Sequence, residues 1–131
     1  MYLFLGCESG WKEFENACYK LYTTATTWFY ARDSCLDQES HLASVHSDDE
    51  QNFIKTQITS SYDLWIGGKM GIFDLEWEDG SDLDYTHWHS GEPNYDGDCV
   101  YMESSYSMEW CDYSCTDSYN KYYVCKKDYS N

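Results

Sequence analysis

Glu92-Pro93-Asn94-Tyr95-Asp96-Gly97-Asp98-Cys99 is the stretch on which the reading of this chain turns. Pro93 is the only proline in 131 residues, so the backbone is stiffened at one point. An X-Pro bond is also the one place where a cis peptide costs little, about 0.5–1 kcal/mol. A cis bond there would turn the side chains of Glu92 and Asn94 toward the same point. Carboxylate and amide oxygens converging in this way suit a hard cation such as Ca2+. Asp96 and Asp98 follow at once, and Asp112 comes two residues after Trp110. The candidate metal ligands are therefore Glu92, Asn94, Asp96, Asp98 and Asp112.

The rest of the composition is compatible with such a site and excludes others. The length fits a single domain over residues 1–131, with room for one core. Lys plus Arg number 8 against 24 Asp plus Glu, a net charge of −16. Nucleic acid and anionic membrane surfaces need basic partners and are excluded. Cations and neutral polar ligands remain. The 14 Tyr and 6 Trp exceed what a core of this size needs, which implies a contact-making surface as well. Seven cysteines point to an oxidising compartment, so a secreted or extracellular protein. Six of them can form three bridges in about 15 ways once the odd one is chosen. Cys111 and Cys115 could clamp zinc, but no second pair stands at finger spacing. No segment is long enough to span a bilayer. The apolar opening Met1-Tyr2-Leu3-Phe4-Leu5 is too short for a signal peptide.

Along the chain, residues 10–22 read as an early strand or hairpin closed by Cys7–Cys18. Residues 26–38 carry a helical stripe of Trp28, Ala31, Cys35 and Leu36, with Thr26 or Thr27 as cap. Residues 47–58 begin with a capping box, Ser47 and Glu50, and place Phe53, Ile54, Gln57 and Ile58 inward. His41 to Val45 between them reads as a short buried strand. Leu64-Trp65-Ile66-Gly67 reads as a buried strand stopped by its glycines. From Lys69 to Asp98 there is little periodicity, and an irregular stretch of that length is normally functional. Three short strands follow, at Cys99–Met102, Met108–Trp110 and Tyr122–Cys125.

Taken in order, these residues resemble the C-type lectin-like domain across nearly the whole chain. The resemblance rests on Gly10-Trp11, Thr27-Trp28, His41-Leu42-Ala43-Ser44-Val45 and Trp65-Ile66-Gly67. It continues through Trp77 with Asp79-Gly80, Glu92-Pro93-Asn94, Asp98-Cys99-Val100, Trp110 with Asp112, and Val124-Cys125. It implies an α+β fold of two helices and small antiparallel sheets with a long irregular ligand loop. It implies bridges Cys35–Cys125 and Cys99–Cys115, with Cys7–Cys18 as an extra N-terminal one. It implies a calcium-dependent carbohydrate-binding lectin, one that takes mannose-, glucose- or fucose-type sugars of glycoproteins or cell surfaces. Glu92, Asn94 and Asp112 would then bind sugar as well as metal. Glu accepts only while Asn can also donate, so their order selects hydroxyl geometry.

The chain departs from that family in places that bear on the metal. It reads Trp110-Cys111-Asp112 where the family has Trp-Asn-Asp, and a thiol is a poor partner for a hard cation. The loop from Asn94 to Cys99 is short, and the family's acid just before its Asp-Cys pair has no clear counterpart. Lys69 and Met70 replace the acids of an auxiliary site, so one Ca2+ is expected, held at about 10⁻⁴–10⁻³ M. The odd thiol, Cys111, is either buried or the link of a disulfide-bonded homo-oligomer. Alternatively it takes Cys99 and leaves Cys115 over. The competing function is a lectin-like protein-interaction domain that has lost calcium and sugar. A mineral or ice binder is a further class, although Thr23, Thr24, Thr26 and Thr27 read better as a loop and cap. No nucleophile elbow, phosphate loop or zinc-protease helix accompanies the carboxylates near His87 and His89, so an enzyme is not expected.

Overall fold

In the computed structural model, which describes residues 6–59 and 61–129, β1 (Lys12–Phe14) and β2 (Ala17–Tyr22) form an antiparallel hairpin. Glu15 and Asn16 both take positive φ, the two-residue turn that matches strand twist. A Cys7–Cys18 disulfide closes this hairpin. The opening Met1–Leu5 lies outside the described residues.

Helix α1 (Trp28–Asp37) starts where Thr27 Oγ1 accepts a hydrogen bond from Tyr30 N at 3.2 Å. It buries Trp28, Ala31 and Cys35. Leu36, expected on the same stripe, is exposed. One residue past Cys35 is a rotation of about 100°, which carries Leu36 off the inner face. The Cys35–Cys125 disulfide ties α1 to the last strand. The predicted strand at 41–45 is regular only at β3 (His41–Leu42), while Ala43, Ser44 and Val45 continue it as buried chain.

Helix α2 (Asp48–Phe53) is capped by Ser47, whose side chain accepts from Glu50 N at 3.0 Å. The other half of the expected box does not form. Glu50 turns into the protein, taking His46 N at 2.8 Å, Lys126 Nζ at 2.6 Å and the Tyr19 hydroxyl. The helix ends in a widened turn, Ile54–Ile58, closed by Thr59 N to Ile54 O at 3.1 Å. That extra residue per turn rotates Gln57 outward, against expectation, while Ile54 and Ile58 pack inward. Gln51 is the buried glutamine, donating to Met108 O and accepting from Trp110 Nε1, both at 2.9 Å.

Strand β4 (Asp63–Met70) runs straight through Gly67 and Gly68, where a stop was expected. These glycines serve close approach, not a turn. A Cβ on Gly67 would lie 2.6 Å from Leu42 O, and one on Gly68 would touch Leu75 and Val100 at 3.0 Å. The short strand β5 (Leu75–Trp77), within the stretch read as irregular, folds back on β4. Then come β6 (Cys99–Glu103), β7 (Glu109–Tyr113) and β8 (Lys121–Asp128).

The expected small antiparallel sheets are joined into one mixed sheet, ordered β1-β2-β8-β4-β6-β7, with β3 on β8 and β5 on β4. The join is the parallel pairing of β4 with β8, Asp63 opposite Lys121 through Trp65 opposite Tyr123. One core packs Ile54, Ile66, Val100, Met102, Trp110 and Val124. The other packs Trp28, Ala31, Leu42 and Trp65 around Cys35–Cys125. Among the described residues no helix is long and apolar enough to cross a membrane.

Candidate functional site

The loop that carries the Glu-Pro-Asn stretch is hung from Trp110. Trp110 N donates to His87 O at 2.8 Å and His89 N donates to Trp110 O at 3.0 Å. The Trp110 ring is wholly buried, edge-on to Trp77, Tyr85 and Trp88. β7 is thus fixed by the core, and the incoming loop is fixed to β7. A turn follows, Glu92 N to His89 O at 2.9 Å, and then the Glu92–Pro93 peptide bond, which is cis.

Beyond the proline the loop folds down on Asp112. Asn94 N donates to Asp112 Oδ1 at 3.0 Å and Tyr95 N to Oδ2 at 2.9 Å. Asp112 is 2% exposed, so these two amides replace most of the water its carboxylate has lost. Tyr95 adopts φ +64° to make its bond. Asn94 Oδ1 accepts from Asp96 N at 3.2 Å, closing a local turn. Gly97 then presses on β7: a Cβ there would lie 1.9 Å from the Tyr113 carbonyl carbon. Cys99–Cys115 secures the far end.

The structure therefore brings Glu92 and Asp112 together and sets Asn94 beside them. Glu92 Oε1 accepts from Asp112 N at 3.4 Å. The Glu92 carboxyl is held above its ordinary range, first by burial, then by the neighbouring Asp112 and by the Asp96 charge. Asp96 is exposed, and Asp98 joins through its backbone, whose carbonyl accepts from Met70 N at 2.7 Å. The four carboxylates do not form one cluster: among the described residues no three His, Cys, Asp or Glu side chains are arranged to hold a metal ion. The position before Asp98 is a glycine with no space for a side chain, so the missing acid cannot be supplied there.

Cys111 lies close enough to the loop to feel the Glu92 charge. It is unbridged, 5% exposed, and lies opposite Tyr101 on β6. Burial, then the Glu92 and Glu103 carboxylates, push its thiol up to about 12. It is a protonated packing group rather than a thiolate ligand.

Two arrangements that look catalytic are structural. His89 Nδ1 lies 2.7 Å from Glu109 Oε1, with its ring stacked on Tyr106 at 3.8 Å. His46 lies between Asp84 at 2.6 Å and the hydroxyls of Ser44 and Ser81 at 3.0 and 3.1 Å. Both hydroxyls donate instead to Asp79. Against the opposing effect of burial, they hold Asp79 below its ordinary range, aided by Lys126. A serine whose one proton is committed to a carboxylate is not activated by a histidine. This network pins residues 79–84 to residues 44–46.

What sequence reasoning missed are the backbone donors of Asn94 and Tyr95, the contact of Gly97 with Tyr113, and the inward direction of Cys111. Alternation along β7 sets Cys111 on the face opposite Trp110, beside Tyr101, so the strand period gave no signal for its burial. The others depend on a strand-to-loop approach that no local pattern encodes.

The family model described as "Lectin C-type domain" matches residues 24–127. The mouse low affinity immunoglobulin epsilon Fc receptor is 36% identical over 126 residues, 92% of this chain and 37% of that protein. The chain spans less than two thirds of the length of the curated relatives it matches first. Among solved structures, a calcium-independent type II antifreeze protein superposes with a TM-score of 0.87 at 31% identity, covering 98% of this chain and 99% of that one. The cow CD23 carbohydrate-recognition domain, solved in the presence of GlcNAc2Man3 oligosaccharide, gives 0.85 at 31% identity, covering 95% and 98%.

Proposed function

The chain belongs to the C-type lectin domain family, and from that premise we propose that it is a carbohydrate-recognition domain for mannose-, glucose- or fucose-type sugars, assisted by one weakly held Ca2+. Glu92, Asn94 and Asp112 form its site. The observation that carries this reading is the Glu92–Asp112 pair, two acidic residues held side by side, with the Asp112 and Asp96 charges both acting on Glu92. Like charges this close are unfavourable unless a proton or a cation intervenes.

The donor set fits such a cation in part. Glu92, Asp112 and the Asn94 carboxamide oxygen are hard ligands, and exposed Asp96 is near enough for its charge to act on Glu92. Cys111 and Gly97 contribute nothing, which leaves the protein short of the roughly 6–8 oxygens Ca2+ takes and sets its affinity near 10⁻⁴–10⁻³ M. Bound there, Ca2+ would supply coordination to a pair of sugar hydroxyls. The chain's own share is orientation: Glu92 accepts from one hydroxyl and the Asn94 amide donates to its neighbour. The glycan in the cow CD23 structure supports the same ligand class here. The three disulfides suit a secreted or extracellular setting, with glycans on glycoproteins or cell surfaces as partners. No catalytic role is proposed.

A thermal shift series in CaCl2, paired with mannose binding in the presence and absence of EGTA, tests the proposal. A ligand that binds only the folded state raises Tm. The expected result is a rise at millimolar calcium and a loss of mannose binding in EGTA. Mannose binding that ignores EGTA would remove calcium from the site.

A second reading rests on the loop itself. Both Asp112 oxygens already take backbone N–H groups, so the loop is closed without a cation. The likeness to a calcium-independent antifreeze protein is compatible with that state. On this reading the chain is a lectin-like interaction domain, and its Tm stays constant through the calcium series.

A further inference from the structure

β3 leaves β8 at the His41–Lys126 pair. The chain before His41 turns back onto the end of α1, with Ser40 N donating to Cys35 O and Glu39 N to Leu36 O, both at 3.0 Å. From there β8 continues with β2 alone, as far as Asp128 opposite Ala17. Tyr129 N donates to Asn16 O at 2.8 Å, so by the alternation of an antiparallel ladder Asp128 turns its own N–H and C=O away from β2. Val124, four residues earlier, faces the same way, and its carbonyl takes Ala43 N at 3.1 Å. Among the described residues no strand pairs with Asp128 on that side. An open strand edge is a template for an extended peptide.

The edge opens on a groove of about 900 Å³, lined by residues 37–41 and 79–81, by Glu8 and Trp11, and by residues 126–129. None of Glu92, Asn94 and Asp112 lines it. Its cations are already engaged. Lys126 Nζ lies 2.6 Å from the buried Glu50, and Lys127 Nζ lies 2.5 Å from Glu8. Asp79 takes the hydroxyls of Ser44 and Ser81. Asp37, Glu39 and Asp128 remain, with no ion pair among the described residues.

Two of these three stand where the helix alone does not favour them. Asp37 closes α1 at its negative pole, and no basic residue lies in the last turn. Glu39 follows at φ +55°, the position after a helix that glycine ordinarily takes. A cation brought from outside relieves both. A second copy of this chain, at −16, is repelled from the groove. A sugar would stack on an aromatic face, but Lys127 already sits over the Trp11 ring at 4.3 Å.

We propose that this groove docks an extended lysine- or arginine-rich segment of a partner protein, its backbone pairing with Asp128 and its cationic side chains meeting Asp37, Glu39 and Asp128. The proposal is independent of the sugar reading.

The experiment is calorimetric titration of the whole chain, at physiological salt, with an octapeptide of alternating lysine and threonine. The wild type is compared with Asp37→Asn/Glu39→Gly. That variant should keep its Tm, since glycine suits the left-handed position and the helix end loses a like charge. It is expected to bind the peptide roughly tenfold more weakly, as two exposed charge pairs supply. Asp49→Asn/Glu76→Gln changes the net charge equally at exposed positions outside the groove and should keep the wild-type affinity. The peptide with glutamate for lysine, and the lysine peptide N-methylated at alternate residues, should both bind poorly. No binding to the wild type, undiminished binding to Asp37→Asn/Glu39→Gly, or equal loss in the charge-matched variant overturns the docking site. Full binding of the N-methylated peptide overturns the strand pairing. A wild-type dimer in sedimentation that Asp37→Asn/Glu39→Gly dissolves would give the groove to a second copy and overturn the proposal.

Discussion

Gly97 lies so close to Tyr113 that an added Cβ would come within 1.9 Å of the Tyr113 carbonyl carbon. This contact holds the loop from Glu92 to Asp98 against β7 and keeps the Asn94 and Tyr95 amides on Asp112. Gly97→Ala forces backbone away from backbone, and overpacking of this kind costs about 1–3 kcal/mol. Calorimetry should show a Tm lower by several degrees. Hydrogen exchange should show the Asn94 and Tyr95 amides losing protection before the rest of the sheet. Unchanged protection at those amides would mean that the loop is held by something else.

Glu92 gives a prediction whose sign depends on pH. Burial first, then Asp112 and Asp96, raise its folded pKa above the unfolded carboxylate value, about 4.3. A group shifted upward contributes most below its unfolded pKa and loses that contribution as pH rises through the folded pKa. At pH 7 its charge is therefore a net cost. Glu92→Gln should stabilise the domain at pH 7, on the order of 0.5 kcal/mol after solvent screening. The gain should shrink toward pH 4, and mannose binding should be lost throughout. A lower Tm at pH 7 would mean that the Glu92 charge is compensated.

Cys111 should behave as an inert thiol. Its folded pKa, pushed up to about 12 chiefly by burial, stands well above the unfolded value near 8.5. The folded state thus keeps its proton at pH 8, and stability falls as pH climbs above the unfolded value. Ellman's reagent at pH 8 should label no thiol in the native protein and Cys111 alone after denaturation. On a non-reducing gel the chain should run as a monomer. A dimer band that disappears in Cys111→Ser would restore the interchain link the odd cysteine suggested.

Glu50 is 5% exposed, and its carboxylate meets Lys126, the Tyr19 hydroxyl and His46 N. It joins α2 to β2 and β8. Removing one partner of a buried pair leaves the other uncompensated, at about 3 kcal/mol or more. Glu50→Gln should lower Tm by on the order of 10 °C without changing where the 92–98 loop sits. The check is thermal denaturation beside mannose binding at a temperature where the variant is folded.

The sequence made the helices and their caps legible because capping is local: Thr27 and Ser47 sit within three residues of the amides they accept from. The glycines of β4 misled because their reason lies on other elements, at Leu42, Leu75 and Val100. The buried direction of Glu50 was hidden in the same way, since Lys126 lies 76 residues away. In the 92–98 loop, the approach of Glu92 to Asp112 was legible as residue types gathered after a single proline. How the loop spends its oxygens was not, because the competing donors are backbone amides, which every residue but proline carries.

The last strand, β8, lies between β2 and β4 and also pairs with β3, and it carries Cys125, the partner of Cys35 ninety residues earlier. A ribosome adding about 5–20 residues per second needs on the order of 5–20 s to bring the second sulfur of that pair into existence. During that interval the Cys35 thiol meets Cys7 and Cys18 first and Cys99 only late, and thiol–disulfide exchange is the chemistry by which any early mispair would be undone.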